Sequence, residues 1–155
     1  MSVSRLYHGT RVSNVSSISL NGLFASTGGR LGPGLYLATL DSAQLVAEHR
    51  GNGTGFAVLE IEVDLGKVRD TGTADDGRGS WFPACDTATG THPSWAGNVP
   101  FQEWCVRDVR RCRIVAVNVI GGVVDGNLNL PGVVVRTRGN VTFTGDVTAK
   151  TIIIG

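Results

Sequence analysis

Apolar and polar residues alternate most cleanly over residues 56–65, where Ala57, Leu59, Ile61 and Val63 fall on one side and Glu60, Glu62 and Asp64 on the other. A period of two predicts a strand with one buried face. Residues 5–8 predict a short strand before it. Val15, Ile18 and Leu23 then recur near helical spacing, with Ser13 or Asn14 as the cap and Gly22 as the stop. Residues 27–34 carry four glycines and predict a loop whose backbone can approach a ligand closely. A buried strand follows at 35–38. Asp41 or Ser42 can cap a helix that carries Ala43, Val46 and Ala47 on one side. Residues 103–108 and 113–119 read as strands joined by a turn at 108–111. Between them and the strand at 56–65, residues 70–100 are rich in glycine, proline and short polar side chains, and predict long surface loops.

The pattern changes after residue 120. Residues 121–155 carry only Asp125, Arg136, Arg138, Asp146 and Lys150 as charges, with glycines at 126, 132, 139 and 145. Val141, Phe143, Val147, Ala149 and Ile153 place apolar side chains mainly at odd positions, which predicts strand. A spacing near six residues resembles the rungs of a β-solenoid such as the bactofilins, although few rungs are present. Two hairpins fit equally well. The division this suggests is a catalytic unit at 1–120 and a glycine-rich β segment at 121–155. That segment is either an oligomerising appendage, which would make the chain a homo-oligomer, or part of the main sheet.

At 155 residues and 41% apolar content the chain is sized for about one domain with an ordinary core. A net charge of +1 gives no broad field for nucleic acid or an anionic membrane. No stretch has the apolar length of a membrane span and the first residues lack a secretory pattern, so the expectation is a cytoplasmic or otherwise intracellular protein without a membrane partner. Cys85, Cys105 and Cys112 form an odd set without close pairing, which suggests neither a disulfide framework nor a metal site.

Three segments carry the chemistry. They are Tyr7-His8-Gly9-Thr10 with Ile18 and Asn21-Gly22-Leu23 after it, Gly34-Leu35-Tyr36-Leu37-Ala38, and Phe101-Gln102-Glu103-Trp104-Cys105-Val106. The ordered trio of His8, Tyr36 and Glu103 resembles the signature of H-Y-E type ADP-ribosyltransferases, the branch of the poly(ADP-ribose) polymerases and diphtheria-type toxins, over roughly residues 5–119. The resemblance implies an α+β fold, a split β-sandwich with short helices, to which the C-terminal all-β segment is added. It also implies a pentosyl transfer with NAD as substrate, no metal, and a protein or nucleic-acid acceptor.

Cleaving the nicotinamide–ribose bond builds positive charge on the ribose, which a carboxylate can stabilise. The resemblance gives that part to Glu103, together with a hydrogen bond to a ribose hydroxyl and activation of the acceptor. It gives His8 a ribose hydroxyl, the Gly9 backbone the nicotinamide amide, and Tyr36 a stack on the nicotinamide ring. Thr10 and Gly34 complete the expected NAD contacts. Among Arg11, Arg30, Arg50 and Arg78, each able to fork onto phosphate oxygens, Arg30 in the glycine loop is the candidate for the pyrophosphate.

Two positions depart from the family. Ala47 stands where a second ring usually closes the nicotinamide sandwich, leaving His49, Trp81, Phe82 and Trp104 as candidates to replace it. Phe101 stands where arginine-modifying members have Glu or Gln, which argues against an arginine acceptor. Two other classes share parts of the pattern: an NAD-dependent RNA 2′-phosphotransferase, and a non-catalytic NAD or ADP-ribose binding or assembly module.

Overall fold

The strand predicted most cleanly holds the middle of the structure, a computed structural model that describes residues 3–73, 78–93 and 100–155. This strand, β3 (Phe56–Val63), pairs antiparallel with β1 (Ser4–Arg11) on one side and with β7 (Cys112–Val124) on the other. Ala57, Leu59, Ile61 and Val63 are fully buried on one face, as alternation requires. The remaining strands are β2 (Leu35–Ala38), β4 (Val68–Thr73), β5 (Thr87–His92), β6 (Phe101–Val106), β8 (Leu128–Phe143) and β9 (Val147–Ile154). All nine join in one sheet of order β4-β5-β6-β2-β1-β3-β7-β8-β9.

This overturns the expected α+β split sandwich with a separate terminal segment. Among the described residues 54% are strand and 17% helix, and the sheet ends in a solenoid-like parallel stack. The physical reason lies in two regions. Within residues 70–100, expected as loops, the sheet gains β4 and β5, which pair in parallel; residues 74–77 and 94–99 lie outside the described residues. In the tail, β7 pairs parallel with β8 and β8 with β9. Hairpins are therefore excluded, because a tight hairpin makes neighbours antiparallel.

Parallel neighbours joined by three-residue turns require the chain to coil. Ala116 meets Val134, 18 residues on, Gly122 meets Val141, 19 on, and Val134 meets Thr151, 17 on. The coil turns where Gly121, Gly122, Gly132 and Gly139 adopt positive φ. Each turn is keyed to the next: the Thr144 hydroxyl accepts from the Gly126 amide at 2.9 Å and the Asn127 carboxamide oxygen from the Asp146 amide at 2.9 Å. The boundary drawn at residue 120 falls inside β7.

Two short helices cover the sheet. A 3₁₀ turn (Val12–Asn14) leads into α1 (Val15–Asn21), which Gly22 ends at φ 78°. Val12, Val15 and Ile18 join Leu6, Leu35, Leu37, Leu59, Val119, Leu128 and Val135 in the main core. On the opposite face, α2 (Leu40–Gly51) sets Ala43 and Ala47 against Ala38 and Val58. Exposed ion pairs cross the outer face: Arg5 with Glu62 at 3.1 Å, Arg136 with Glu60 at 3.6 Å, and Arg113 with Glu62. Exposed pairs of this kind contribute little each and chiefly mark register.

The coil belongs to the same core as the rest. Val124, Leu128, Leu130, Val133 and Val135 are all buried in it. At about 1.5–3 kcal/mol for each buried aliphatic side chain, their loss would match the whole stability of a domain of this size. A chain ending at Val119 should therefore aggregate on expression. Light scattering of that fragment checks this, and a soluble fragment with a cooperative melt would show the coil to be dispensable.

Candidate functional site

The cavity begins where β1 and β2 part. These strands keep one register pair, Tyr7 with Ala38. Beyond it His8 spans the gap, its Nδ1–H donating to the Tyr36 carbonyl at 2.8 Å. With Nδ1 as donor, the neutral ring presents Nε2 as an acceptor. Burial lowers the His8 pKa; the bond to Tyr36 opposes this and the charge of Arg50 adds to it. Protonation of His8 is therefore disfavoured.

Gly9 is required by packing. A Cβ there would overlap the Ala43 carbonyl oxygen and approach the Ala47 nitrogen and Cβ to 2.9 Å. The bare backbone lets α2 lie on β1 and leaves Gly9 at the cavity wall. Next to it, the buried Thr10 hydroxyl accepts from the Asn14 carboxamide at 2.9 Å.

Tyr36 is anchored at both ends. Its backbone lies opposite Cys105 in β6. Its hydroxyl accepts from the Leu31 amide at 2.9 Å and donates to the Gly32 carbonyl at 2.5 Å. Burial raises the phenol pKa, with Cys105 adding to the effect. Gly29 rests against the ring so closely that any Cβ would collide with it. The glycine loop is thus folded over the tyrosine, with Trp81 fixing it from below by donating its indole N–H to the Leu31 carbonyl at 2.8 Å. Ser26 and Gly34 close the loop by exchanging backbone hydrogen bonds. Gly34 itself has no room for a side chain, because Cys105 and the Val106 carbonyl stand where a Cβ would go.

Glu103 brings a buried carboxyl to the cavity. It sits in β6 opposite Ala38 of β2 and Gly90 of β5, 6% exposed, inside the cavity. Its Oε1 is buried with no hydrogen-bond partner among the described residues. Burial pushes its carboxyl up to about 7, while the charge of Arg30 pulls the other way. A buried carboxyl oxygen without a partner is costly, and such groups concentrate where a ligand or reaction supplies the missing contact.

The cavity, of about 350 Å³, falls in the size range of small-molecule sites. His8, Gly9, Thr10, Arg30, Gly34, Tyr36 and Glu103, the seven residues singled out from sequence, all line it. Arg50 lines it too, whereas Arg11 and Arg78 do not. Arg11 still lies near enough to Arg50 for its charge to add to burial in lowering the Arg50 pKa.

None of His49, Trp81, Phe82 and Trp104 reaches the cavity. Trp81 is buried under the loop, Trp104 packs against the main core, and Phe82 is exposed beneath the Arg107 guanidinium at 4.5 Å. Among the described residues, the aromatic side chains that line the cavity besides Tyr36 are Tyr7, Phe24, and a stacked pair not foreseen from sequence, His92 and Phe101. These two rings lie 5.0 Å apart and within 6° of parallel. They are cross-strand partners in β5 and β6, and a signal existed in principle: Phe101 shares the face of Glu103 through the period of two. Finding His92 required knowing the β5–β6 register.

The arrangement offers contacts for a small molecule that carries a ring and an anionic group. It offers a bare glycine backbone, a fixed tyrosine ring, two arginines on the wall and a carboxyl oxygen that needs a partner. No group of three or more potential metal ligands occurs among the described residues. No described helix is long and apolar enough to cross a membrane. No protein-family model matches the chain, and no curated protein shows significant similarity to it.

The Glu103 environment predicts a pH-dependent stability effect. Its folded pKa lies above the ordinary carboxylate value, so the folded state keeps the proton longer than the unfolded state does. The associated stability is present at about pH 4 and lost as pH rises through about 7. Glu103→Gln, which cannot ionise, should match wild type near pH 4 and exceed it by on the order of 1–2 kcal/mol at about pH 8. Urea melts at both pH values measure this. An equal difference at the two would mean that Glu103 is not held in a desolvated site.

Proposed function

We propose that the chain is an NAD-dependent ADP-ribosyltransferase, cleaving the nicotinamide–ribose bond and passing ADP-ribose to a protein or nucleic-acid acceptor. The observation that carries the reading is the buried Glu103 carboxyl, whose partnerless Oε1 lies in a cavity also lined by His8, Gly9 and Tyr36. In the ionised form it stabilises the positive charge that develops on the ribose, and its burial strengthens the interaction.

The other residues orient the substrate. His8 Nε2 accepts from a ribose hydroxyl, the Gly9 backbone reads the carboxamide, and Tyr36 offers a ring that its hydroxyl bonds keep from rotating away. Arg30, whose charge reaches Glu103, and Arg50, whose charge reaches His8, are the cavity cations for the pyrophosphate. Thr10 and Gly34 shape the wall between them. The coil of β7–β9 is the candidate surface for self-association.

Arg50 near His8, with Arg11 near Arg50, favours a second reading, an RNA 2′-phosphotransferase-like enzyme. The two separate in one assay. A transferase of the first kind releases nicotinamide from NAD without any 2′-phosphorylated RNA, and the second kind requires it. A binding module would hold NAD and release nothing.

Glu103→Gln should bind NAD nearly as wild type but release nicotinamide about ten- to a thousandfold more slowly, since the lost charge acts mainly in the transition state. In wild type the rate should climb as pH rises through about 7, because only the ionised carboxylate serves. Equal rates for the two proteins would remove Glu103 from the chemistry.

Tyr36→Ala should weaken NAD by roughly 1–3 kcal/mol and ADP-ribose less, whereas Tyr36→Phe, which keeps the ring but loses the hydroxyl bonds that hold it and the loop, should weaken both ligands modestly. Calorimetry showing equal losses for the two ligands in Tyr36→Ala would make the ring a prop for the glycine loop alone.

A further inference from the structure

The cavity has aromatic surface on two sides of Glu103, and the transferase reading gives a use to only one. Along β6, Phe101, Glu103 and Cys105 share a face. Tyr36 of β2 lies opposite Cys105, and His92 of β5 lies opposite Phe101. Tyr36 and the His92–Phe101 stack are thus displaced from Glu103 in opposite directions along the strand, by about 6–7 Å each. Tyr36 and His92 also stand on opposite neighbours of β6.

Displacement at an anomeric carbon constrains what this second surface can do. The entering group approaches from the side opposite the leaving group. If nicotinamide leaves from the Tyr36 side of a ribose held at Glu103, the acceptor enters from the other side, where His92 and Phe101 line the wall. We infer, resting on the transferase reading, that the His92–Phe101 stack is the acceptor subsite and that the acceptor is a nucleotide, its base lying against these rings.

Charge and shape support that class. Phe101 offers no hydrogen bond to a guanidinium. Arg30, close enough to influence both His92 and Glu103, opposes a second cation there and so argues against a guanidinium or amine acceptor. Burial and Arg30 lower the His92 pKa, which keeps the imidazole a neutral ring suited to stacking. Phe101 packs against the cluster of Ala38, Ala43, Ala47 and Val58, to which α2 contributes two members. Nucleobases stack on such pairs with little regard to sequence, and they carry their nucleophilic nitrogens in the ring plane.

The step balances without an added reagent. The bond from ribose C1 to the nicotinamide nitrogen breaks, and its electron pair leaves with neutral nicotinamide. The base nitrogen forms the new bond to C1, and its proton passes to the Glu103 carboxylate and then to water.

The test gives the full chain NAD with the four ribonucleoside 5′-monophosphates, agmatine and tyrosine amide together, following nicotinamide release by chromatography and adducts by mass spectrometry. The ADP-ribosyl adduct should appear on a nucleotide. The ratio of transferred to hydrolysed ADP-ribose should fall about tenfold or more in His92→Ala and return towards wild type in His92→Phe, which restores a ring. Nicotinamide release with the adduct on agmatine or tyrosine amide, with hydrolysis as the sole outcome, or with an unchanged ratio in His92→Ala overturns the acceptor assignment and leaves the transferase reading standing. Absence of nicotinamide release from wild type overturns both.

Discussion

The hydrogen bond from His8 Nδ1–H to the Tyr36 carbonyl, 2.8 Å long, stands where the ladder between β1 and β2 stops. An unpaired carbonyl at a parting of strands would be costly, because buried backbone groups need partners. A side chain replaces the missing ladder bond, and the strands can separate without leaving that group bare. The separation makes the cavity, the bond selects the histidine tautomer, and the acceptor nitrogen that remains is available to a ligand. Gly9, next in β1, holds α2 against the sheet beside the gap, since its missing side chain is what lets Ala43 and Ala47 sit on the strand.

Around this opening the structure divides its costs unevenly. The main core is aliphatic and closed, with Leu37, Leu59, Ile61, Val106 and Val135 almost wholly buried. The cavity wall holds instead a carboxyl oxygen without a partner, a desolvated histidine and a tyrosine whose hydroxyl is spent on the loop above it. Such groups subtract from stability, and they persist where a ligand restores what folding removed. Trp81, the Ser26–Gly34 bridge and the Tyr36 hydroxyl then act as one brace. They restrict a loop whose glycines would otherwise leave Arg30 poorly placed.

Much of this was legible in the sequence, for identifiable reasons. The alternation of Ala57, Leu59, Ile61 and Val63 against Glu60 and Glu62 marks a strand with one buried face, and that is how β3 folds. Gly22 and the run from Ala43 to Ala47 mark the end of α1 and the buried side of α2. The seven site residues come from short motifs, and strand pairing brings them to one cavity. What escaped is what depends on partners. β4 alternates nothing, because it is an exposed edge strand, and β5 is buried through threonine, alanine and glycine, without large apolar side chains to announce it. The tail showed strand periodicity but not direction. Alternation is the same for a hairpin and a parallel coil, and only the repeat of about 18 residues tells them apart.

The same dependence on register explains why the aromatic wall was sought in the wrong place. Position 47 is buried against Gly9, so a ring there would have no space on this backbone, and α2 instead offers Val46 and Arg50 to the cavity. The volume that a helix residue does not fill is reached from the other edge of the sheet, by a cross-strand pair at the end of β5 and the start of β6. Moving the second aromatic surface from the helix to the sheet places it beyond the carboxylate instead of beside the tyrosine. Among the described residues the cavity thus has rings on both sides of Glu103, one on β2 and a stacked pair across β5 and β6.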